Sequence, residues 1–158
     1  MGNCMNELKH KELTNFDRVQ IQMQYVIPLI QDLKEILGDE VVIKALEERN
    51  NRRDAQPVKE KTPDFSRMVE GTKMFAADNA LKYDIISSTE RSFDMNVQHC
   101  RYAEMVDELG GRDFGHLLVC AGDFAAAKKI GMNLTRTQTR MEGADYCDFR
   151  YRPARGDQ

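Results

Sequence analysis

The spacing of apolar residues changes partway along this chain, and that change restricts the fold more than any other feature. Near the start, apolar side chains recur every three or four positions, which is the spacing of one helix face. The members of this stripe are Val19, Met23, Val26, Ile30, Leu33 and Leu37. After Leu81 the period is two, and Phe93, Met95 and Val97 alternate with polar residues, as in an antiparallel hairpin with one buried face. Helices followed by hairpins predict an α+β fold.

The first helix has recognisable end signals. Thr14 and Asp17 form a capping-box pattern at its start, and Gly38 supplies a stop. Pro28 lies inside the stripe and predicts a kink, because proline removes a backbone donor. The regular apolar seam is consistent with packing inside the domain, which is the commoner use, and also with a homodimer.

The other segments complete a single domain over residues 1–158. Residues 50–61 are polar and aperiodic, and they predict an exposed loop. Residues 1–13 and 153–158 are predicted to be loose ends. The expected architecture is a group of N-terminal helices packed on an antiparallel sheet, which is built from two hairpins with intervening helices.

Composition excludes several classes of protein. The formal net charge of −3 gives no general attraction to nucleic acid. No apolar run approaches the roughly 20 residues needed to cross a bilayer, so no membrane partner is expected. The start of the chain lacks the hydrophobic segment of a secretory signal, which predicts a cytoplasmic protein with free thiols.

The closing hairpin, residues 134–151 with a turn at Gly143, is unusually rich in thiol, carboxylate and guanidinium groups for a structural element. Guanidinium groups suit carboxylate recognition, so Arg136 or Arg150 could bind the carboxylate of a substrate. Asp148 could instead pair with a cross-strand arginine on a solvent-facing side. Both interpretations of the hairpin remain open at the level of sequence.

Strand parity limits how many of these groups can meet. Side chains alternate between the two faces of a regular strand. Arg136 therefore shares no face with Thr139, and Cys147 shares none with Asp148 or Arg150. Some polar residues of the hairpin must be structural.

Three cysteines in the second half are candidate nucleophiles. Cys120 lies three positions before Asp123 at a predicted break between helices, and Cys100 lies where a strand gives way to a helix. A helix N-terminus or a nearby cation lowers the pKa of a thiol and creates the reactive thiolate. Small, buried and inert cysteines are the commoner alternative. The sequence has neither paired metal-ligand spacings nor a glycine-rich phosphate cradle, so we predict no metal and no cofactor. A metal-thiolate or redox protein is the alternative if Cys100, Cys120 and Cys147 converge in space.

Four segments resemble the L-2-amino-thiazoline-4-carboxylic acid hydrolase family in order and spacing, over about residues 80–152. They are residues 97–104 (Val-Gln-His-Cys-Arg-Tyr-Ala-Glu), 120–123 (Cys-Ala-Gly-Asp), 134–139 (Leu-Thr-Arg-Thr-Gln-Thr) and 143–150 (Gly-Ala-Asp-Tyr-Cys-Asp-Phe-Arg). The resemblance implies a hydrolase in which water opens a small cyclic isothiourea that bears a carboxylate. It thus implies a small-molecule substrate.

The resemblance also implies roles for the matched residues. The catalytic candidates are Cys120, Asp123 and Cys147, and the substrate-binding candidates are Cys100, Arg136, Thr139, Asp148 and Arg150. An aspartate would hold the amidine nitrogens or activate water, and an arginine would fix the carboxylate. A thiolate could attack the amidinium carbon and form a covalent intermediate. Direct attack by water and the thiolate route both stay open.

A second class of protein remains in competition. Residues 143–149 are also similar to the end of vinyl-reductase-type sensor domains, which are small α+β units. Such a domain would bind a small molecule and signal to a partner without turnover.

Overall fold

The computed structural model describes residues 12–59 and 61–154, and this part of the chain forms five α-helices and one four-stranded sheet. The helices are α1 (Asn15–Leu37), α2 (Asp39–Asp54), α3 (Met68–Ala76), α4 (Arg101–Glu108) and α5 (Gly122–Lys129). The strands are β1 (Leu81–Ser88), β2 (Phe93–Cys100), β3 (Met132–Thr135) and β4 (Cys147–Pro153). Most of the two predicted loose ends, residues 1–11 and 155–158, lies outside the described residues.

All strands of the sheet pair antiparallel, in the order β1-β2-β4-β3, and the predicted α+β fold is confirmed. β2 is an inner strand, and its alternating residues Phe93, Met95 and Val97 are buried, as the period of two predicts. The register of β2 with β4 sets Val97 opposite Cys147. The sheet therefore brings the start of β4 beside the end of β2.

The ends of α1 are those that the sequence predicts. The Thr14 hydroxyl accepts the Asp17 N–H, and the Asp17 carboxylate accepts the Thr14 N–H at 2.9 Å, which completes a capping box. The Gly38 N–H donates to the Lys34 carbonyl at 2.9 Å and ends the helix. Within the described residues no helix, α1 included, is both long enough and apolar enough to span a membrane.

The prediction of an exposed loop over residues 50–61 is wrong for its first part, because α2 continues to Asp54. Asn50 is buried there, and its side-chain amide donates to the Leu117 carbonyl at 2.9 Å. This contact comes from a distant part of the chain, so the local sequence carries no apolar period that would reveal it.

The closing hairpin also differs from its prediction. β3 ends at Thr135, because the backbone of residues 137 and 138 donates to the side chain of Asp148 rather than to a strand. At the other end, β4 includes Pro153, which was expected to be loose and which instead lies opposite Met132.

Two clusters of buried residues form the core. A helical cluster includes Phe16, Ile27, Val106 and Phe114, and a sheet cluster includes Phe93, Val97 and Met132. The two clusters share partly buried neighbours, and Cys100 is one of them. This boundary between the clusters is where most of the candidate functional residues lie.

Candidate functional site

A buried arginine and a partly exposed aspartate form the centre of the site. Arg136 directly follows β3, and its Nη1 donates to Asp123 Oδ2 at 2.6 Å. Its Nη2 donates to the Cys120 carbonyl at 3.0 Å. The side chain of Arg136 is 5% exposed, whereas that of Asp123 is 39% exposed. The pair therefore presents its carboxylate, and not its guanidinium, to solvent.

Two aromatic rings hold the Arg136 guanidinium in place. The ring centroids of Phe124 and Phe149 lie 5.0 and 4.9 Å from its central carbon. A guanidinium over an aromatic face is attracted by the ring quadrupole, and more strongly when desolvated. Arg136 is thus fixed by ion pair, hydrogen bond and rings together.

One turn of π-helix, His116–Cys120, leads into the site. The Ala121 N–H donates to the His116 carbonyl at 2.8 Å, which spans five residues instead of four. Such turns are rare, and they are frequent at functional sites. The Cys120 carbonyl at the end of this turn accepts from Arg136, and α5 then begins with Asp123 in its first turn.

Cys100, Cys120 and Cys147 come close enough to interact electrostatically with one another. Burial raises the pKa of the Cys100 thiol to about 11, although the N–H groups of Ala103 and Tyr102 oppose the shift. Burial likewise raises the pKa of Cys120 and of Cys147, against the opposing charge of Arg136. All three thiols are therefore protonated at neutral pH, because an ordinary thiol pKa is already near 8.5.

The carboxyl group of Asp123 is electrostatically unusual. Partial burial raises its pKa, while the charge and the hydrogen bond of Arg136 and the charge of Arg53 oppose that rise. Burial also raises the pKa of the Tyr151 phenol, and the negative charge of Asp123 adds to that rise. A carboxylate with a perturbed pKa, flanked by cations at the edge of a core, has the environment of a functional group.

Three predicted binding residues lie apart from this centre. Thr139 is buried, and its hydroxyl caps a 3₁₀ turn by accepting the Glu142 N–H at 3.1 Å while it donates to Glu142 Oε2 at 2.8 Å. Arg150 donates to the Met95 carbonyl and to Asn96 Oδ1, at 3.0 and 2.9 Å. Asp148 is the third, and its carboxylate accepts from the Thr137 side chain and from the backbone just beyond Arg136. The structure therefore brings five of the eight predicted residues together: Cys100, Cys120, Asp123, Arg136 and Cys147.

Sequence reasoning missed four neighbours of the centre. Phe124 and Phe149 stack on Arg136, Tyr151 stacks on Phe149, and Arg53 interacts with Asp123. The positions of Phe149 and Tyr151 follow from their parity with Cys147 on β4, which is a signal that was available. Arg53 had no such signal, because its segment was assigned to the exposed loop.

Other features of the described residues do not compete with this centre. No group of three or more His, Cys, Asp or Glu side chains in residues 12–59 and 61–154 is arranged to hold a metal ion. Surface recesses of about 460 and 280 Å³ are lined by other residues, including Phe65 and Thr89 in the first and Gln31 and Lys34 in the second.

Fold and site together define a small α+β protein with a thiol-lined polar centre built around an arginine–aspartate pair. The sequence model of the L-2-amino-thiazoline-4-carboxylic acid hydrolase family matches residues 18–151. The chain belongs to this family, as the four segments of the second half predict, and the match extends to the N-terminal helices. Among curated proteins, none matches the chain.

Proposed function

We propose that this protein is a hydrolase that opens a small cyclic amidine bearing a carboxylate, of the aminothiazoline carboxylate type. One observation carries the proposal: in a member of this family, a half-exposed carboxylate, Asp123, is backed by a buried and fixed arginine, Arg136. The family supports hydrolysis, and the site supplies a group suited to it.

The proposed step consumes one water and needs no other reactant. The water oxygen bonds to the amidine carbon, which lies between nitrogen and sulfur in the ring. One ring bond of that carbon, C–S or C–N, then breaks. The water oxygen becomes the carbonyl of a carbamoyl group and loses both of its protons. When C–S breaks, one proton goes to the ring nitrogen and one to the sulfur, which gives a free thiol; when C–N breaks, both go to the ring nitrogen, which gives a free amine.

Asp123 is the catalytic residue of this scheme. Its Oδ2 is bonded to Arg136, while Oδ1 has no hydrogen bond within the described residues and is available to water or to an amidinium N–H. A general base works best when its pKa approaches the working pH, and the pKa of Asp123 is raised in that direction. Arg136 acts through Asp123 and is a positioning residue.

We favour direct attack by water over the thiolate route. Attack by sulfur requires the thiolate, and burial keeps the thiols of Cys100, Cys120 and Cys147 protonated at neutral pH. On this proposal the three thiols are small neutral groups that take no part in the covalent chemistry. They stay reduced in a compartment such as the cytoplasm.

The test is ring opening of 2-aminothiazoline-4-carboxylate by the purified protein. We expect Asp123→Asn to lower kcat by about 100-fold or more, the usual contribution of a general base. The assay is run at a temperature at which the variant is folded, because Asn leaves the buried Arg136 without its counter-ion and lowers the melting temperature. Asp107→Asn is the matched control, because Asp107 is an exposed aspartate paired with Arg112 on the surface. Turnover retained by Asp123→Asn contradicts the assignment.

Cysteine variants separate the two routes. The water route predicts that Cys100→Ser, Cys120→Ser and Cys147→Ser each keep turnover within about 10-fold of wild type. A single serine variant that abolishes turnover, together with a mass increase on that cysteine in the wild type, establishes the thiolate route instead. Tight binding of the ring compound without turnover supports the sensor-type module.

We also propose that the protein forms a homodimer through α1. Large apolar side chains follow one ridge of this helix at intervals of four, each at least 37% exposed: Ile21, Tyr25, Leu29, Leu33 and Leu37. The ridge is symmetric about Leu29, so an antiparallel second copy places Ile21 on Leu37 and Tyr25 on Leu33.

A further inference from the structure

The geometry points to Arg53 as the residue that binds the substrate carboxylate, an inference that rests on the proposed ring-opening function. Arg53 lies in the last turn of α2, outside the segments that resemble the family in the second half of the chain. It reaches the site because α2 packs beside the start of α5.

Asn50 fixes the position of the Arg53 guanidinium. The Asn50 side chain is buried, and its Nδ2 donates to the Leu117 carbonyl in the π turn at 2.9 Å. Its Oδ1 accepts from Arg53 Nη2 at 3.1 Å. A single amide therefore ties the guanidinium to the turn that carries Cys120.

The guanidinium lies over the first residue of α5. A methyl group built on Gly122 would lie 3.6 Å from Nη1 and 3.8 Å from Nη2 of Arg53. The next residue is Asp123, and the charge of Arg53 opposes the rise that burial causes in the pKa of its carboxyl group. Gly122 thus places no side-chain atom beside the guanidinium, whereas the first side-chain carbon of any other residue there would contact it.

Most hydrogen-bonding capacity of Arg53 is unused. A guanidinium has five N–H donors, and the Nη2 bond to Asn50 is the one hydrogen bond that the Arg53 side chain makes within the described residues. Its Nε is buried and has no partner there. A buried donor without an acceptor costs stability unless a ligand or a water molecule accepts its hydrogen bond. Arg136 and Arg150, by contrast, each donate at least two hydrogen bonds to other protein groups.

The charges of the site match a zwitterion. Arg53 and Arg136 carry two positive charges, Asp123 carries one negative charge and the thiols are neutral, so the centre has a net charge of +1 when Asp123 is ionised. A cyclic amidine carboxylate has a cationic amidinium and an anionic carboxylate. With the amidinium at Asp123 and the carboxylate at Arg53, each charge of the ligand faces its opposite.

The experiment compares two ring compounds, 2-aminothiazoline-4-carboxylate and 2-aminothiazoline, which lacks the carboxylate. We expect Arg53→Gln to raise KM for the first by about 10- to 100-fold with little change in kcat, and to leave KM for the second unchanged. Arg53→Lys should lie between wild type and Arg53→Gln, because it keeps the charge but loses the fork. Arg52→Gln is the control, since Arg52 is its exposed neighbour on the same helix.

The inference is overturned if Arg53→Gln raises KM equally for both compounds, or raises it for neither. If the wild type turns over neither compound, the proposed function fails, and calorimetric binding then tests Arg53 separately. Weaker binding of the carboxylate compound alone in Arg53→Gln supports the subsite even in that case. Failure of the wild type to bind either compound overturns both proposals.

Discussion

The carboxylate of Asp148 accepts three hydrogen bonds from the segment that follows β3. Oδ1 accepts the N–H groups of Thr137 and Gln138, both at 2.9 Å, and Oδ2 accepts the Thr137 hydroxyl at 2.7 Å. This segment begins one residue after Arg136. The binding role predicted for Asp148 stays a prediction, and its contacts give it a part in positioning Arg136.

These bonds make Asp148 a pH-sensitive clamp. Partial burial acts to raise its pKa, but the bonds from Thr137 and Gln138 outweigh burial and lower the pKa overall. A carboxyl group whose pKa is lower in the folded state stabilises the fold above its unfolded value, near 3.9, and loses that contribution as the pH falls through the folded value.

We therefore expect Asp148→Ala to lower the free energy of unfolding at pH 7 by about 1–3 kcal/mol. The loss should shrink as the pH falls below about 4, because the wild type then loses the same bonds. Urea denaturation across this pH range measures both effects. Asp145→Ala, at an exposed neighbouring position, should change little, and a loss at Asp148 that does not depend on pH contradicts the clamp.

At the scale of elements, the sequence predicts what local forces determine. The caps of α1 and the alternation of β2 follow from nearby residues, and both are found. The predicted apolar stripe of α1 is buried only in part, because Leu33 and Leu37 are exposed. The predicted end of β3 was wrong. Alternation in residues 136–139 is typical of a strand, but the backbone there donates to the distant Asp148 side chain, and the strand ends earlier.

The same reasoning explains which residues of the site could be predicted from the sequence. Cysteines and charged groups near Cys120 and Cys147 are conspicuous as residue types, so five members of the centre could be named in advance. Arg53 could not, because α2 joins the site through the Asn50 amide and not through an apolar face that has a period.

The exposed ridge of α1 leads to a prediction about assembly. We expect the protein to sediment as a dimer and Leu29→Asp to sediment as a monomer, because Leu29 lies at the proposed two-fold axis and a buried charge there has no partner. Glu35→Ala, an exposed change elsewhere on α1, is the control. A wild type that is monomeric at micromolar concentration contradicts the interface.

At the scale of the whole molecule, the thiols lie where the helical and sheet clusters meet. Cys100 and Cys120 pack against the helical cluster, and Cys147 belongs to the sheet cluster. The raised pKa of each thiol reflects burial that exists when both clusters are assembled. The protonation of the thiols thus depends on the complete fold.

This burial predicts a loss of stability in alkali. Between the unfolded thiol pKa, near 8.5, and the higher folded value, about 11 for Cys100, the unfolded chain has released protons that the folded chain retains. The free energy of unfolding should therefore fall as the pH rises above about 8.5, by up to about 1.4 kcal/mol per thiol for each pH unit.

A variant with Cys100→Ala, Cys120→Ala and Cys147→Ala provides the comparison, with chemical denaturation measured at pH 7, 9 and 10. The decline should be steeper in the wild type, since both proteins share every other titrating group. Parallel declines contradict the assignment of raised pKa values to the thiols.

The site takes its residues from both halves of the chain, and this has a practical consequence for dissecting the protein. A cut in the turn at Gly110 and Gly111 would leave Arg53 and Cys100 on one fragment, and Asp123, Arg136 and Cys147 on the other. Neither piece would carry a working centre by itself. Turnover on mixing would then serve as a gain-of-signal readout of fragment complementation, with no added reporter.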